Sequence, residues 1–335
     1  MCIFSTFVQY MKDYVGSVMS TIPIIFNEKN VAHTVVGGQL CPVASAFLGA
    51  VVLNRGVRWN RAEFFAQLTT LGIAPIVSVE RSAAAPDVTG LAERFPFVKF
   101  ITPLECISVG EMINLGVAEL DVMYVLVLWS DMRIDPQGMS QHIQDILRTN
   151  THMCIAPQLC SSHSTVLPTQ IVPALRKSDF FTQPTECTTN HTPTIYPYDF
   201  VGIYHRDRFI QCGGFDFTIA NAYWQNLDFG LRSYLWGECI EVNTQIRLFY
   251  EALPPQEDAS ADGSYRIFYL KNLAPLLEKD RAFISGTQFF SFFRNSGLHL
   301  IEAYRLFRDA QKWVAVNRYR FKKTAARLVS EWEPR

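Results

Sequence analysis

From residue 46 to residue 128 the chain alternates short, mainly apolar runs with longer segments whose apolar positions recur every three or four residues. The runs Ala46–Leu53, Pro75–Val79, Phe97–Ile101 and Tyr124–Leu128 have strand length, and the first and last show no alternation, the pattern of strands buried on both faces. Between the first two, Asn60-Arg61-Ala62-Glu63 reads as an N-cap with an acid at N3. Phe64, Phe65, Leu68 and Leu71 then supply one helical face, and Gly72 suits the position after the helix. A short helix is expected at Val88–Phe95, and Ser108-Val109-Gly110-Glu111 opens a second capped helix through Leu120. Strands alternating with helices of these lengths imply right-handed crossovers and a mostly parallel sheet flanked by helices, an α/β fold. Ligands of such sheets bind beyond the carboxyl ends of the strands, where Asp131 follows Tyr124–Leu128. A turn or helix-cap role for Asp131 is the competing reading.

Downstream the pattern predicts a helix at Gln141–Leu147 and a strand at Met153–Ala156. Residues 160–197, rich in Ser, Thr and Pro, predict a long loop. Order resumes at Val201–His205, followed by the turn Gly213-Gly214-Phe215-Asp216, a helix at Trp224–Trp236, and strands at Ile240–Val242 and Ile246–Tyr250. Pro254–Gly263 has the composition of a linker, and the chain beyond it reads as helical, with Leu300, Tyr304, Phe307 and Val314 on one face. The expected division is an N-terminal extension at 1–40, the main domain at 41–255 and a helical region at 256–335. A further expected strand, Ile22–Phe26, belongs to the extension.

Composition narrows the possibilities. Hydrophobic residues make up 49% of the 335, enough for a sizeable core, and a formal net charge of −1 argues against a nucleic-acid partner. Eight scattered cysteines without a CxxC pair fit free thiols in a reducing compartment. With no apolar run of membrane-spanning length and no signal-peptide pattern, a cytoplasmic location with at most peripheral membrane contact is the expectation.

Six segments then fall in one order: VVLNR (Val51–Arg55), SVERS (Ser78–Ser82), GEMINLG (Gly110–Gly116), LVLWSDM (Leu126–Met132), IYHRDRFIQCGGFD (Ile203–Asp216) and QNLDFGLR (Gln225–Arg232). In order and spacing, over about residues 46–250, this set resembles the inverting family-2 glycosyltransferases of the GT-A fold. The resemblance implies transfer of a sugar from a nucleotide-diphosphate sugar to an acceptor hydroxyl on a glycan, a lipid-linked carrier or a protein. It places the nucleotide against Asn54, Arg55 and Glu80, with Gly110 and Asn114 on the helix beside it and Ser130 and Asp131 on the diphosphate side. It implies a divalent cation, Mg²⁺ or Mn²⁺, on Asp131, because a diphosphate leaves readily only when its developing charge is neutralised.

Three positions depart from the family's pattern. The first carboxylate of its D-x-D triplet is Trp129 here. The E-D pair that opens the helix after GGFD, whose Asp is the general base, is Gln225-Asn226, and an amide accepts no proton at useful pH. The late metal-binding His has no counterpart in residues 246–251. Asp216 and Asp228 are the carboxylates left to act as base. A catalytically degenerate binding or scaffold protein on the same fold is the alternative reading. The basic C-terminal run Arg318, Arg320, Lys322, Lys323 and Arg327, interleaved with Trp313, Tyr319 and Phe321, reads as a solvated helix face or a contact for acidic lipid or a phosphorylated acceptor.

Overall fold

A computed structural model describes residues 26, 29–38, 47–55, 61–81, 88–176 and 179–332; the side chains of residues 136–142 are not described. Apart from Phe26, the strand expected at Ile22–Phe26 lies outside the described residues, as does the Asn60 cap.

The first half is built as the apolar pattern implies. Strands β1 (His33–Gly37), β2 (Leu48–Leu53), β3 (Ile76–Val79), β4 (Val98–Pro103) and β5 (Tyr124–Trp129) are interleaved with helices α1 (Arg61–Thr70), α2 (Val88–Arg94) and α3 (Val109–Ala118). Then follow β6 (Met132–Ile134), α4 (Pro136–Thr149), β7 (Cys154–Cys160), β8 (Gln170–Arg176), β9 (Asp179–Thr185), β10 (Thr192–Pro193), β11 (Gly202–His205), α5 (Arg206–Gln211), α6 (Ala222–Leu235) and β12 (Ile240–Tyr250).

The 10-stranded sheet has the order β1-β4-β3-β2-β5-β11-β7-β12-β10, with β6 on β12. Strands β4, β3, β2 and β5 pair in parallel, and β7 pairs in parallel with β12. Because β11 is antiparallel to both β5 and β7, the strands β2–β5, β7 and β12 all point one way, so the sheet is mostly parallel. Every residue of β2, β3, β5 and β7 is buried, which explains why these strands show no alternation. β1, from the expected N-terminal extension, forms the sheet's antiparallel edge on β4.

Four expectations need correction. Residues 160–197 are not one loop: β8 and β9 form a separate antiparallel hairpin, held to α6 by Thr182 Oγ1 and Tyr223 Oη at 3.0 Å. The two strands expected at Ile240–Val242 and Ile246–Tyr250 are one strand, β12, with an irregularity between Asn243 and Arg247 that mimics a break. The C-terminal region is not all helical: α7 (Gly263–Phe268), continued by a π-turn to Leu273, is followed by the hairpin β13 (Leu276–Glu278)–β14 (Arg281–Phe283) and by α8 (Gln288–Ser296), α9 (Leu300–Val316) and α10 (Ala325–Ser330). Finally, the buried stripe of α9 is Ala303, Phe307, Ala310 and Val314, whereas Leu300 and Tyr304 are exposed.

The linker stretch is tied to the main domain. Pro255 O accepts from Tyr198 Oη at 2.5 Å, Asp258 O from Asn221 Nδ2 at 3.1 Å and Ser260 O from Trp224 Nε1 at 2.8 Å. No helix among the described residues is long and apolar enough to cross a membrane.

Candidate functional site

Strand register gathers the first group of residues. Leu53 stands opposite both Val79 and Trp129, so Asn54, Glu80 and Ser130 each lie one residue beyond neighbouring strand ends. The ladder's last bonds, Asn54 N to Val79 O at 3.3 Å and Ser130 N to Leu53 O at 2.9 Å, hold them side by side. Glu80 is fully buried; it accepts from Asn54 Nδ2 and Ser78 Oγ, each at 2.8 Å, and pairs with Arg61. Ser130 Oγ donates to Asn54 Oδ1 at 3.4 Å. Glu80 therefore has its oxygens turned inward and orients Asn54.

Arg55 projects from the same edge. Its guanidinium lies over the Trp129 ring, 3.9 Å from the centroid. Its Nε is 3.1 Å from Asp131 Oδ2, and its two terminal nitrogens donate to Asp199 at 2.5 and 3.4 Å. Trp129, where the resemblance expects a carboxylate, is thus the platform on which this cation rests, an arrangement worth about 1–2 kcal/mol when desolvated. Its Nε1 donates to Asp199 O at 3.0 Å, and Tyr250 Oη donates to the Asp199 carboxylate at 2.9 Å. Asp199 has a left-handed backbone, φ +55°, which turns its carboxylate toward Arg55. Burial raises the Asp199 carboxyl above its ordinary range, with Arg55 and Tyr250 pulling the other way. Burial alone would lower Arg55, and the Asp199 and Asp131 carboxylates outweigh it, so the guanidinium stays charged. The cluster opens on one side: the Arg55 and Asp131 side chains keep 21% and 32% of their surface exposed.

The remaining candidates lie elsewhere, and three readings change. Gly110 and Asn114 pack α3 against the GGFD turn. Gly110 N donates to Gln225 Oε1 at 2.8 Å, and a Cβ on Gly110 would collide with Phe215 and Gln225. Asn114 clamps Phe215, donating to its carbonyl at 2.7 Å and accepting from its amide at 2.9 Å. With Ser108 capping Glu111 N, those N-terminal donors of α3 are used inside the protein rather than offered to an anion.

Asp216 and Asp228 are both sealed. Asp216 pairs with Lys271 and accepts from Thr218 N at 2.9 Å and Thr218 Oγ1 at 2.6 Å. Burial works against its charge; Lys271 and Thr218 outweigh that and hold the carboxyl below the ordinary range. Asp228 accepts from Arg232 Nη2 at 2.9 Å and from Asn272 Nδ2 at 2.6 Å, with none of its surface exposed. Both carboxylates are thus enclosed by the protein's own donors. Where the resemblance expects the base, Asn226 donates to Pro197 O at 2.7 Å, and its Oδ1 is buried without a partner among the described residues.

One acid that the sequence alone does not single out hydrogen-bonds to the residue before Pro197. Glu257, in the linker stretch, accepts from Tyr196 Oη at 2.8 Å, and Tyr196 directly precedes Pro197. The residue is exposed as a whole, yet burial of its carboxyl, with repulsion from Asp199, pushes it up to about 7, against the pull of Tyr196. The only sequence signal was an acid inside an acidic, proline-containing segment.

The donor set does not fit a protein-held divalent cation. Asp131 is a single carboxylate, Trp129 replaces its partner, and the Arg55 guanidinium already sits between Asp131 and Asp199. No group of three or more His, Cys, Asp or Glu that could hold a metal ion occurs among the described residues.

No family model matches this sequence, and no curated protein matches it. Solved structures do. GalNAc-T7, crystallised with UDP, GalNAc and Mn²⁺, aligns with a TM-score of 0.51 and 11% identity over 67% of this chain, which spans only 48% of that protein's chain. S. aureus TarS 1-349, in complex with UDP-GlcNAc, aligns with a TM-score of 0.48 and 12% identity over 80% of this chain and 72% of its own. The likeness is one of fold, the GT-A type of α/β architecture.

Proposed function

We propose that this GT-A-fold chain is a glycosyltransferase that takes a sugar from a nucleotide-diphosphate sugar, a uridine diphosphate sugar by analogy with the GalNAc-T7 complex. The observation that carries the reading is the Arg55 guanidinium, stacked on Trp129 and held by two carboxylates at the carboxyl ends of β2 and β5. A fixed, partly desolvated cation at a strand-end crevice suits a diphosphate. Asn54, oriented by Glu80 and Ser130, would face the nucleoside; Arg55 would neutralise the diphosphate as it leaves, with Asp131 setting the guanidinium's angle.

A cation carried in on the diphosphate would have to displace Arg55 from Asp131 and Asp199, so no step is assigned to a metal. Direct displacement by an acceptor hydroxyl, with inversion and a hexosyl group, needs one base, and the raised carboxyl of Glu257 supports that role. A carboxyl near neutrality accepts a proton readily at working pH. The acceptor, whether glycan, lipid-linked carrier or protein, would enter past the 254–263 segment.

The test is nucleoside diphosphate release from a panel of nucleotide sugars, with and without Mn²⁺, alongside thermal shift. Release abolished in Arg55→Ala supports the reading; no release and no thermal shift with any nucleotide sinks it. The second reading, a binding module that has lost catalysis, is favoured by Asn226 at the base position; nucleotide binding without turnover would select it.

A further inference from the structure

The C-terminal region carries a surface that the transfer reaction does not use. Between the β13–β14 hairpin and α9 lies a cavity of about 700 Å³. Lys279, Arg281, Arg308, Lys312 and Arg318 line it, with Glu278 as the one carboxylate among the described lining residues. Lys312 pairs with Asp309 at 3.2 Å, an exposed and therefore weak contact, and Arg308 donates to the Gln311 amide oxygen, with no carboxylate partner among the described residues. Arg281 and Arg318 flank the exposed Tyr319 ring, at 5.9 and 4.8 Å from its centroid, and no carboxylate among the described residues pairs with either.

A second observation is independent of charge. On α9 the buried stripe Ala303, Phe307, Ala310 and Val314 faces the core. At 100° per residue, Leu300, Ile301 and Tyr304 share one outward face with Arg308, Lys312 and Ala315. Leu300, Ile301 and Tyr304 are exposed by 57%, 68% and 54%, and Phe290 of α8 by 75%. Its neighbour Phe289 packs on Tyr304 with ring centroids 5.9 Å apart, so Phe290 belongs to the same end. One helix face therefore runs from large apolar side chains to a basic groove within about 18 Å, taking 1.5 Å per residue.

A solvated charged face would not need the apolar end, and a soluble polyanion would leave it bare. An anionic bilayer surface satisfies both halves, with lipid phosphates in the groove and Phe290, Leu300, Ile301 and Tyr304 in the headgroup–acyl boundary. We propose that this face docks the protein peripherally on anionic lipid.

The test is co-sedimentation of the full chain with vesicles of phosphatidylcholine alone or with about one-third phosphatidylglycerol, in low and high salt. The expected result is binding to the anionic vesicles that weakens with salt. Arg308→Glu with Lys312→Glu should weaken it by well over tenfold, at about fivefold per cation lost and more for reversal. Phe290→Ser with Ile301→Ser should also weaken it several-fold, since each removes apolar area from the interface. All four side chains are exposed, so circular dichroism should stay unchanged. No binding to anionic vesicles overturns the proposal. So does binding that ignores the Phe290/Ile301 pair and is competed fully by soluble polyphosphate, which would identify a soluble polyanion as the occupant.

Discussion

The Arg55 cluster and the Asp216–Asp228 cluster both gather charged groups around carboxylates that the resemblance marks for chemistry, yet they serve opposite ends. In the first, Asp131 and Asp199 hold a guanidinium at a crevice where part of its surface remains open. In the second, Lys271, Arg232 and Asn272 close over the carboxylates, and Lys271 and Asn272 come from beyond the linker. A motif carboxylate becomes a site only where its counter-charge leaves a side free for a ligand. Where the counter-charge closes over it, the carboxylate becomes a joint between segments of the chain.

The comparison breaks most visibly at Asp228. Asp228→Ala strands Arg232 and Asn272 in the interior, so a loss of about 3–5 kcal/mol and a clear drop in melting temperature are expected in thermal unfolding. Asp216→Leu alone should be similarly costly, and Asp216→Leu with Lys271→Met should recover much of it, because no unpaired charge then remains buried. If these variants instead keep their stability and lose only turnover, the second cluster is catalytic after all.

Glu257→Gln should leave the fold intact and cut transfer by about 10²–10⁴, the usual worth of a general base. Its carboxyl is raised to about 7 from an ordinary 4.5, so the unprotonated base should appear as an acid limb near pH 7 in the rate profile, absent from the Gln variant. The sign for stability is the reverse of that for rate. The folded state holds this proton more tightly, so the contribution is fully present below about pH 4.5 and is lost as pH rises through about 7. Chemical denaturation at pH 5 and pH 8 should differ less in Glu257→Gln than in the wild type.

How much of this was legible depended on separation along the chain. β2 and β5 were readable because a strand buried on both faces shows as an unbroken apolar run. Asp131 followed because a strand end announces itself locally, whereas Asn54 and Ser130 came from the resemblance. The β8–β9 hairpin was not readable: Pro173 and Pro184 interrupt its pattern, and a small sheet outside the main one tolerates them. Pairings such as Asp216–Lys271 and Asp228–Asn272 join residues 55 and 44 positions apart, so a local window sees only an unpartnered acid. Trp129 read as a defect because its partner, Arg55, lies on another strand.

A smaller effect sharpens that last point. Trp129→Leu should keep the fold and the Asp131 and Asp199 pairs but remove the ring beneath the guanidinium, weakening nucleoside diphosphate binding by about five- to thirtyfold, the equivalent of the stacking energy. Trp129→Phe, which keeps a ring, should lose less; equal losses would mean that the tryptophan acts only by filling space.

The central claim is that Arg55 receives the donor's diphosphate, and calorimetric titration of a nucleoside diphosphate into wild-type and Arg55→Ala protein tests it most directly. Measurable binding by the wild type and a loss of tenfold or more in the variant are expected, read at a temperature where circular dichroism shows both proteins folded, because Asp199 loses its counter-charge in the variant. Equal affinity in both proteins, or no binding of any nucleoside diphosphate to the wild type, would contradict it.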